Sequence, residues 1–402
     1  MTAFFPRRML ARILNLDDFE DAARRHLPKP IFAYVSGGNQ DNVSLGDNRT
    51  AFRDIFLVPR VLIDVRRRAT TAPLLGRTHS APFGIAPMGI SALCAYRGDI
   101  VQARAGAALD IPAIMSGSSL IRLEDVARAA PETWFQIYVP PTPERTEALV
   151  RRIEAAGFTT LVLTVDVSVL PDRENNIRAG FRTPIKPSLS LLWQGISHPA
   201  WTVNTALRTL IEHGVPHFEN NDAVQGAPIL ARSVARETGG RDWLSWDDLR
   251  RMRDRWKGRL IVKGILHPDD VRLASKAGVD GIILSNHGGR QLDGAPSPMR
   301  MLPAAVAVAA GVPVMIDSGF RRGSDVLKAL ALGASFVWIG RPFNYAASVA
   351  GEAGIRHAYD LLRNEILTDM ALLGVERLDQ LNQDHILAQP GGSASDRYQF
   401  RA

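Results

Sequence analysis

The chain has 402 residues, 46% apolar and 22% charged, a balance that excludes a disordered or collagen-like protein. Its length corresponds to two or three average domains, or to one large α/β barrel carrying insertions. A net charge of +7 arises from 48 Lys and Arg against 41 Asp and Glu; the arginines are scattered, without zinc-finger, RNP or basic-zipper pattern, so nucleic acid is not expected as a partner. Attraction to an acidic membrane surface needs no such motif. The longest stretch free of charge, 187–207, contains serines, Gln194, His198 and Asn204, and the apolar run Met301–Ile316 is broken by Pro303, Gly311 and Pro313, so no membrane-spanning helix is expected. A single cysteine, Cys94, allows neither a disulfide framework nor a thiolate metal cluster, and no secretory signal follows Arg7, Arg8 and Arg12. A cytoplasmic protein is the expectation.

In chain order, eight short runs read as strands: Phe83–Ala86, Pro112–Met115, Trp134–Val139, Thr160–Val165, Leu260–Val262, Gly281–Leu284, Pro313–Ile316 and Phe336–Ile339. Most are continuous apolar runs, the pattern of strands buried on both faces. Amphipathic segments such as Asp99–Ala108, Pro143–Ala156, Pro268–Ala277 and Gly323–Ala331 lie between them. Eight strands alternating with helices specify an α/β fold, a (β/α)8 TIM barrel. The fourth strand begins at 160 and the fifth at 260, against spacings of 21 to 32 elsewhere, so a long insertion follows strand four, at about 185–240. The chain is read as one domain over 1–402: an N-terminal helical segment (1–80), the barrel (81–345), and C-terminal helices with a tail (346–402).

Active sites of such barrels lie at the C-terminal strand ends. Here those ends carry Pro87-Met88-Gly89, Ser116-Gly117-Ser118, Gln136 and Tyr138, Thr164 and Asp166, Lys263-Gly264, Ser285-Asn286-His287-Gly288-Gly289-Arg290, Asp317-Ser318-Gly319 with Arg321, and Gly340-Arg341. Glycines beside Arg321 and Arg341 after the last two strands suit an anion such as a phosphate. Lys263 ends a buried strand, where an ammonium needs an anion; an ion pair, a Schiff base and stabilisation of a reduced cofactor all satisfy that requirement. His287 is the one histidine directly after a barrel strand in a glycine-rich loop, and its ordinary pKa suits a general base, with Asp166 able to fix its tautomer. Arg290 and Arg173 can each fork onto a carboxylate. No clustered ligands for a metal are present, and the residues alone name no redox cofactor.

These segments resemble the FMN-dependent L-2-hydroxy acid oxidases and dehydrogenases (glycolate oxidase, L-lactate dehydrogenase, mandelate dehydrogenase) from about Leu27 to about Gly374, with 185–238 divergent. The most specific motifs are Ser285-Asn286-His287-Gly288-Gly289-Arg290-Gln291-Leu292-Asp293 and Asp317-Ser318-Gly319-Phe320-Arg321-Arg322-Gly323-Ser324-Asp325. The resemblance implies FMN, and oxidation of an L-2-hydroxy acid of L-lactate or (S)-mandelate type to the 2-oxo acid. It implies His287 as base with Asp166 as its partner, Arg173 and Arg290 on the substrate carboxylate, and Tyr34 and Tyr138 on carboxylate or hydroxyl. For the flavin it implies Pro87, Met88, Gly89, Ser116, Gln136, Thr164, Lys263 and Ser285, with Asp317, Gly319, Arg321, Gly340 and Arg341 on the ribityl chain and phosphate. A homotetramer is also implied. Gly89, where many oxidases of the family carry Ala, points to a dehydrogenase using a quinone or cytochrome acceptor rather than O2. Ser118, where glycolate oxidases carry a bulky aromatic residue, points to a substrate larger than glycolate. A non-catalytic flavin-binding protein is the alternative of another class, and the intact His287, Arg290, Arg173 and Lys263 set argues against it.

In the insertion, Leu189, Leu192, Trp193 and Ile196 recur at helical spacing, followed by Trp201, Val203, Leu207, Leu210 and Ile211. Such a surface suits a membrane interface through 189–211, and equally a helix over the active-site mouth or a subunit contact. The basic balance tilts the expectation to peripheral membrane contact, and Asp222–Gly240 is expected to form a lid.

Overall fold

The computed structural model describes residues 9–181, 188–231 and 240–388. All eight expected strands form: β1 (Phe83–Ile85), β2 (Ile114–Ser116), β3 (Trp134–Ile137), β4 (Thr160–Thr164), β5 (Arg259–Ile265), β6 (Gly281–Leu284), β7 (Val314–Ile316) and β8 (Phe336–Ile339). They pair in parallel in chain order from β2 to β8, and β8 pairs with β1. A parallel bridge between Ile85 and Ala113 closes the ring. The register sets Ser116 beside Gln136 and Thr164 beside Lys263, so site residues of adjacent strands share one level.

The continuous apolar runs are explained by two cores. Val162, Ile261, Ile283, Met315, Trp134, Phe336 and Trp338 fill the barrel interior, while Phe135, Leu161, Leu163, Val262, Ile282 and Val337 face the surrounding helices. A hairpin of Ala72–Leu74 and Arg77–His79 closes the N-terminal end, its Ala72 and Leu74 joining the interior cluster. The four amphipathic segments are helices at Gly98–Ala108, Pro143–Ala155, Pro268–Lys276 and Gly323–Ala331.

The N-terminal segment is helical as expected. Helix Leu16–His26 is capped by Asn15, whose side-chain Oδ1 accepts from Asp17 and Asp18 N–H, and its acidic first turn and basic last turn suit the helix dipole. Its Leu16, Phe19 and Ala23 are buried. The final helical stretch, Arg341–Leu373, begins directly after β8, and its non-helical break at Ala350–Gly351 includes φ of +59° at the glycine.

The insertion leaves the barrel after β4. Helix Leu189–Ser197, the short turn Pro199–Trp201, a π-helical stretch Thr202–Leu207 and helix Arg208–His213 form an arm. It is held by Lys29 N–H donating to Gln194 Oε1 (2.9 Å), Trp201 Nε1 donating to Leu93 O (2.7 Å), and Tyr96 Oη against His213 Nε2 (2.9 Å). Leu189 (87% exposed), Leu192, Trp193 (64%), Ile196, Val203, Leu207, Leu210 and Ile211 (82%) remain on the outside. Trp201 departs from the expected apolar surface: its indole turns inward to satisfy a loop carbonyl after β1. Among the described residues no helix is long and apolar enough to cross a membrane. The expected lid Asp222–Gly240 lies in part outside the described residues. Its described portion follows Phe218 N–H to Ala227 O (3.2 Å) and is held by Arg152, which donates to Asp222 O (3.0 Å).

Candidate active site

A cavity of about 770 Å³ opens at the C-terminal ends of the strands. Its wall includes Tyr34, Pro87, Met88, Gly89, Ser116, Gln136, Tyr138, Thr164, Arg173, Lys263, His287, Arg290, Asp317, Gly319, Arg321, Gly340 and Arg341. Sixteen strand-end and loop residues named from sequence thus meet Tyr34, from the N-terminal segment, in one place. Asp166 stands behind His287 rather than on the wall.

His287 adopts φ of +57°, a region that non-glycine residues rarely occupy. Two contacts fix it there: its backbone N–H donates to Ser285 Oγ (3.0 Å), and its Nδ1 donates to Asp166 Oδ1 (2.9 Å). That bond leaves Nε2 as the basic nitrogen. Burial lowers the His287 pKa below its ordinary value, and Asp166 opposes this without reversing it. Burial would raise Asp166, but His287 and then Lys263 outweigh it and hold the carboxyl below its ordinary range.

The loop carrying His287 is anchored from a distance. Asn286 and Asn48 exchange amide hydrogen bonds of 2.8 and 2.9 Å, and Asn286 Oδ1 also accepts from Gly289 N–H. Asp293 caps helix Val43–Thr50 by accepting from Ser44 N–H (2.9 Å). Gly289, at φ of +74°, has no room for a side chain, since a Cβ would stand 2.6 Å from Leu45 N.

Lys263 is paired. Its Nζ lies 3.1 Å from Asp317 Oδ2 and donates to Ser285 Oγ (2.9 Å), with both charged side chains at least nine-tenths buried. Burial would lower its pKa, yet Asp317 and then Asp166 hold it above the ordinary value. A Schiff base needs the neutral amine, so that option recedes. Ser285 itself does not line the cavity. One residue beyond β6 its hydroxyl turns to Lys263 and His287 N–H, so it braces two wall residues.

Arg290 donates to Tyr34 O (2.6 Å) and Gly37 O (2.8 Å), and its guanidinium lies 4.9 Å from the centre of the Tyr34 ring. Arg341 donates to Val35 O and Gly37 O. Both cations therefore sit at the C-terminal end of helix Lys29–Ser36, where the helix dipole favours them. Burial, then the nearby Arg173, brings the Arg290 pKa down to about 9, leaving it charged at neutral pH and calling for an anion. Arg173 donates to Gln291 Oε1 (3.1 Å). Arg321 reaches the wall, but its guanidinium pairs with Asp17 (3.1 Å) and Glu20 (3.6 Å), a tie to helix Leu16–His26 not expected from sequence.

Among the described residues, four that line the cavity carry a buried polar atom without a hydrogen-bond partner: Gln136 Nε2, Thr164 Oγ1, Asn176 Oδ1 and Asn221 Nδ2. Buried polar atoms are ordinarily paired, so a polar ligand completes this wall. Gln136 Oε1, by contrast, is occupied by Ser116 Oγ and Gly117 N–H. At the outer end the wall is apolar: Ile90, Phe181, Phe218 and Ile229 form a cluster against Tyr34. Phe218, Asn221 and Arg241, from the chain returning out of the insertion, were not expected in the site, whereas Ile229 belongs to the stretch expected as a lid. They lie in no motif or periodic pattern that would mark them.

The profile of the family described as FMN-dependent dehydrogenase matches residues 23–388. The chain is 36% identical to (S)-mandelate dehydrogenase of Pseudomonas putida, covering 94% of this chain and 95% of that one, and 38% identical to L-lactate dehydrogenase of Stenotrophomonas maltophilia (strain R551-3), covering 93% and 98%. Among solved structures, a monotopic membrane protein (S)-mandelate dehydrogenase superposes with a TM-score of 0.87 at 36% identity, over 93% of this chain and 99% of that one. A mandelate oxidase superposes with a TM-score of 0.76 at 33% identity, over 92% and 96%. The chain belongs to the FMN-dependent dehydrogenase family and is an oxidoreductase of 2-hydroxy acids.

Proposed function

We propose that the substrate is a 2-hydroxy acid with a bulky apolar side chain, of mandelate type, and that a membrane carrier such as a quinone takes the electrons. The apolar cluster of Ile90, Phe181, Phe218 and Ile229 carries the substrate reading, because the methyl group of lactate would leave that end of the cavity unfilled. The residues present fit FMN: Gln136 Nε2 and Thr164 Oγ1 need polar partners, and Gly89, Gly319 and Gly340 put bare backbone on the cavity wall. Pro87, Met88, Gly89, Ser116, Gln136, Thr164 and Lys263 would hold its ring, and Asp317, Gly319, Gly340, Arg341 and Arg321 its ribityl phosphate. When bound, FMN supplies the acceptor for two electrons.

The chain's own residues account for the remaining steps. Arg290 and Arg173 fork onto the substrate carboxylate, and Tyr34 and Tyr138 hydrogen-bond its oxygens. His287, neutral because it is buried, takes a proton from the substrate at Nε2, and Asp166 then stabilises the imidazolium. Lys263 presents a fixed positive charge at the end of β5, where negative charge gathers.

The exposed face of Leu189, Leu192, Trp193, Ile196 and Ile211 supports docking on a membrane surface close to such a carrier. The test is anaerobic mixing of the holoenzyme with (S)-mandelate and with L-lactate while flavin absorbance is followed, then admission of air. Mandelate should bleach the flavin more efficiently, with slow recovery in air. Preference for lactate would overturn the substrate reading, and rapid recovery with peroxide would make O2 the acceptor.

A further inference from the structure

Arg321 reaches the cavity wall at the end assigned above to the ribityl phosphate, yet its guanidinium is held from outside the barrel. Its Nε lies 3.1 Å from Asp17 Oδ1, its NH2 group lies 3.6 Å from Glu20 Oε2, and its NH1 group donates to Phe320 O (3.0 Å). Asp17 also pairs with Arg49 (3.7 Å), which pairs in turn with Asp325 (3.5 Å) and donates to Gly319 O. Asp325 closes the chain by accepting from the backbone N–H of Arg321 (2.9 Å) and of Arg322 (3.0 Å). Alternating charges thus run from the first turn of helix Leu16–His26 to the loop after β7.

The helix does not depend on Arg321 for its place. Leu16, Phe19 and Ala23 are buried, Phe19 packs edge-on against His357 (6.0 Å between ring centres), and His357 Nε2 donates to Ile13 O (2.9 Å). The two carboxylates are therefore a platform fixed by core packing, and Arg321 is the group whose freedom they restrict. An arginine loses rotamer entropy when it settles on an anion, and a fork already held in place loses less.

We propose that Asp17 and Glu20 are positioning residues for the cofactor phosphate: carried on a helix outside the barrel, they hold Arg321 ready to receive it. This rests on the placement of the ribityl phosphate at Arg321 and Arg341 proposed above, and it makes the N-terminal segment part of the cofactor site. The opposite role for the same carboxylates is to occupy the fork, so that the phosphate must displace them.

The test is titration of FMN, and of riboflavin, which lacks the phosphate, into the flavin-free full-length chain, with flavin fluorescence giving Kd for each. The parent should bind FMN tighter than riboflavin by roughly a hundredfold or more, because hydrogen bonds to a charged group are the strong ones. Asp17→Asn combined with Glu20→Gln should cut that ratio about tenfold or more, and each single variant by less, while Kd for riboflavin stays within about twofold of the parent. Asp21→Asn, on the same helix but paired only with Arg24 among the described residues, should leave both constants unchanged. A double variant that keeps the parent's ratio overturns the proposal. So does a ratio that rises, which makes the carboxylates competitors of the phosphate. Equal weakening of both ligands also overturns it, since damage to folding touches riboflavin as well. If the parent itself does not distinguish FMN from riboflavin, the phosphate placement fails and the proposal falls with it.

Discussion

Replacing Lys263 by methionine leaves Asp317 buried with one hydrogen bond, from Ser318 Oγ at 2.8 Å, and no countercharge at 3.1 Å. Breaking a buried ion pair from one side costs about 3–5 kcal/mol, mostly as the desolvation penalty of the orphaned charge. Unfolding entropy of about 2.1 cal/mol/K per residue amounts to roughly 0.8 kcal/mol per degree for a chain of this size, so the loss corresponds to about 4–6 °C in Tm. Asp317→Asn alone should cost a similar amount, because the ammonium then keeps only Ser285 Oγ and the more distant Asp166. The double variant Lys263→Met with Asp317→Asn should recover most of the loss, since a neutral pair carries no such penalty. Calorimetry of the flavin-free protein at pH 7 reads all three without interference from cofactor binding. A Lys263→Met protein melting within about 1 °C of the parent, or a double variant no better than the single ones, would refute the reasoning.

His287→Ala should retain FMN and lose roughly 10²–10⁴-fold in flavin reduction. Because burial lowers the His287 pKa, the neutral base persists as pH falls through 6.5, and the acid limb of the parent's reduction rate should lie below that pH; a limb above it would contradict the assignment. Gly319→Ala places a methyl 1.9 Å from Asn48 O at φ of +92° and should unseat helix Val43–Thr50, whereas Gly294→Ala, at φ of +83° with nothing within 4 Å, should cost only about 1–2 kcal/mol by the same denaturation assay. Gly89→Ala meets Tyr34 Oη at 3.3 Å and Ser118 Cβ at 3.4 Å, so it should fold and bind FMN while reoxidising faster in air; an unchanged rate would remove position 89 from the choice of acceptor. Serine at Leu192, Trp193 and Ile196 together should abolish cosedimentation with anionic lipid vesicles without altering flavin reduction, and undiminished cosedimentation would remove the arm from the membrane contact.

The barrel was legible because strands buried on both faces must be apolar throughout, and each such run ends in a short polar motif. The polar groups gathered at those ends were legible for the same reason: His287, Asp166 and Lys263 stand at points where the fold tolerates polarity only with a partner. What joins them was not. The Asn48–Asn286 exchange and the Arg321 pairing with Asp17 span most of the chain, and nothing local in either segment announces the other. The Ser285 contacts were not legible, because its position after β6 does not say which neighbours its hydroxyl meets. Phe218 and Arg241 escaped because the chain returning from the insertion has neither helical nor strand periodicity, and only its path brings it over the cavity.

The hairpin that seals the N-terminal end of the barrel constrains the order of events in catalysis. With Ala72 and Leu74 wedged beneath Trp134, Phe336 and Trp338, nothing passes through the barrel from below. The cavity opens at the upper mouth, which the insertion borders, and the proposed acid and oxo acid come and go there. If the proposed carrier uses the same doorway, turn-taking is expected: the oxidised product departs before the carrier approaches the same floor. Parallel lines in a double-reciprocal plot over both substrates are the kinetic mark of that queue.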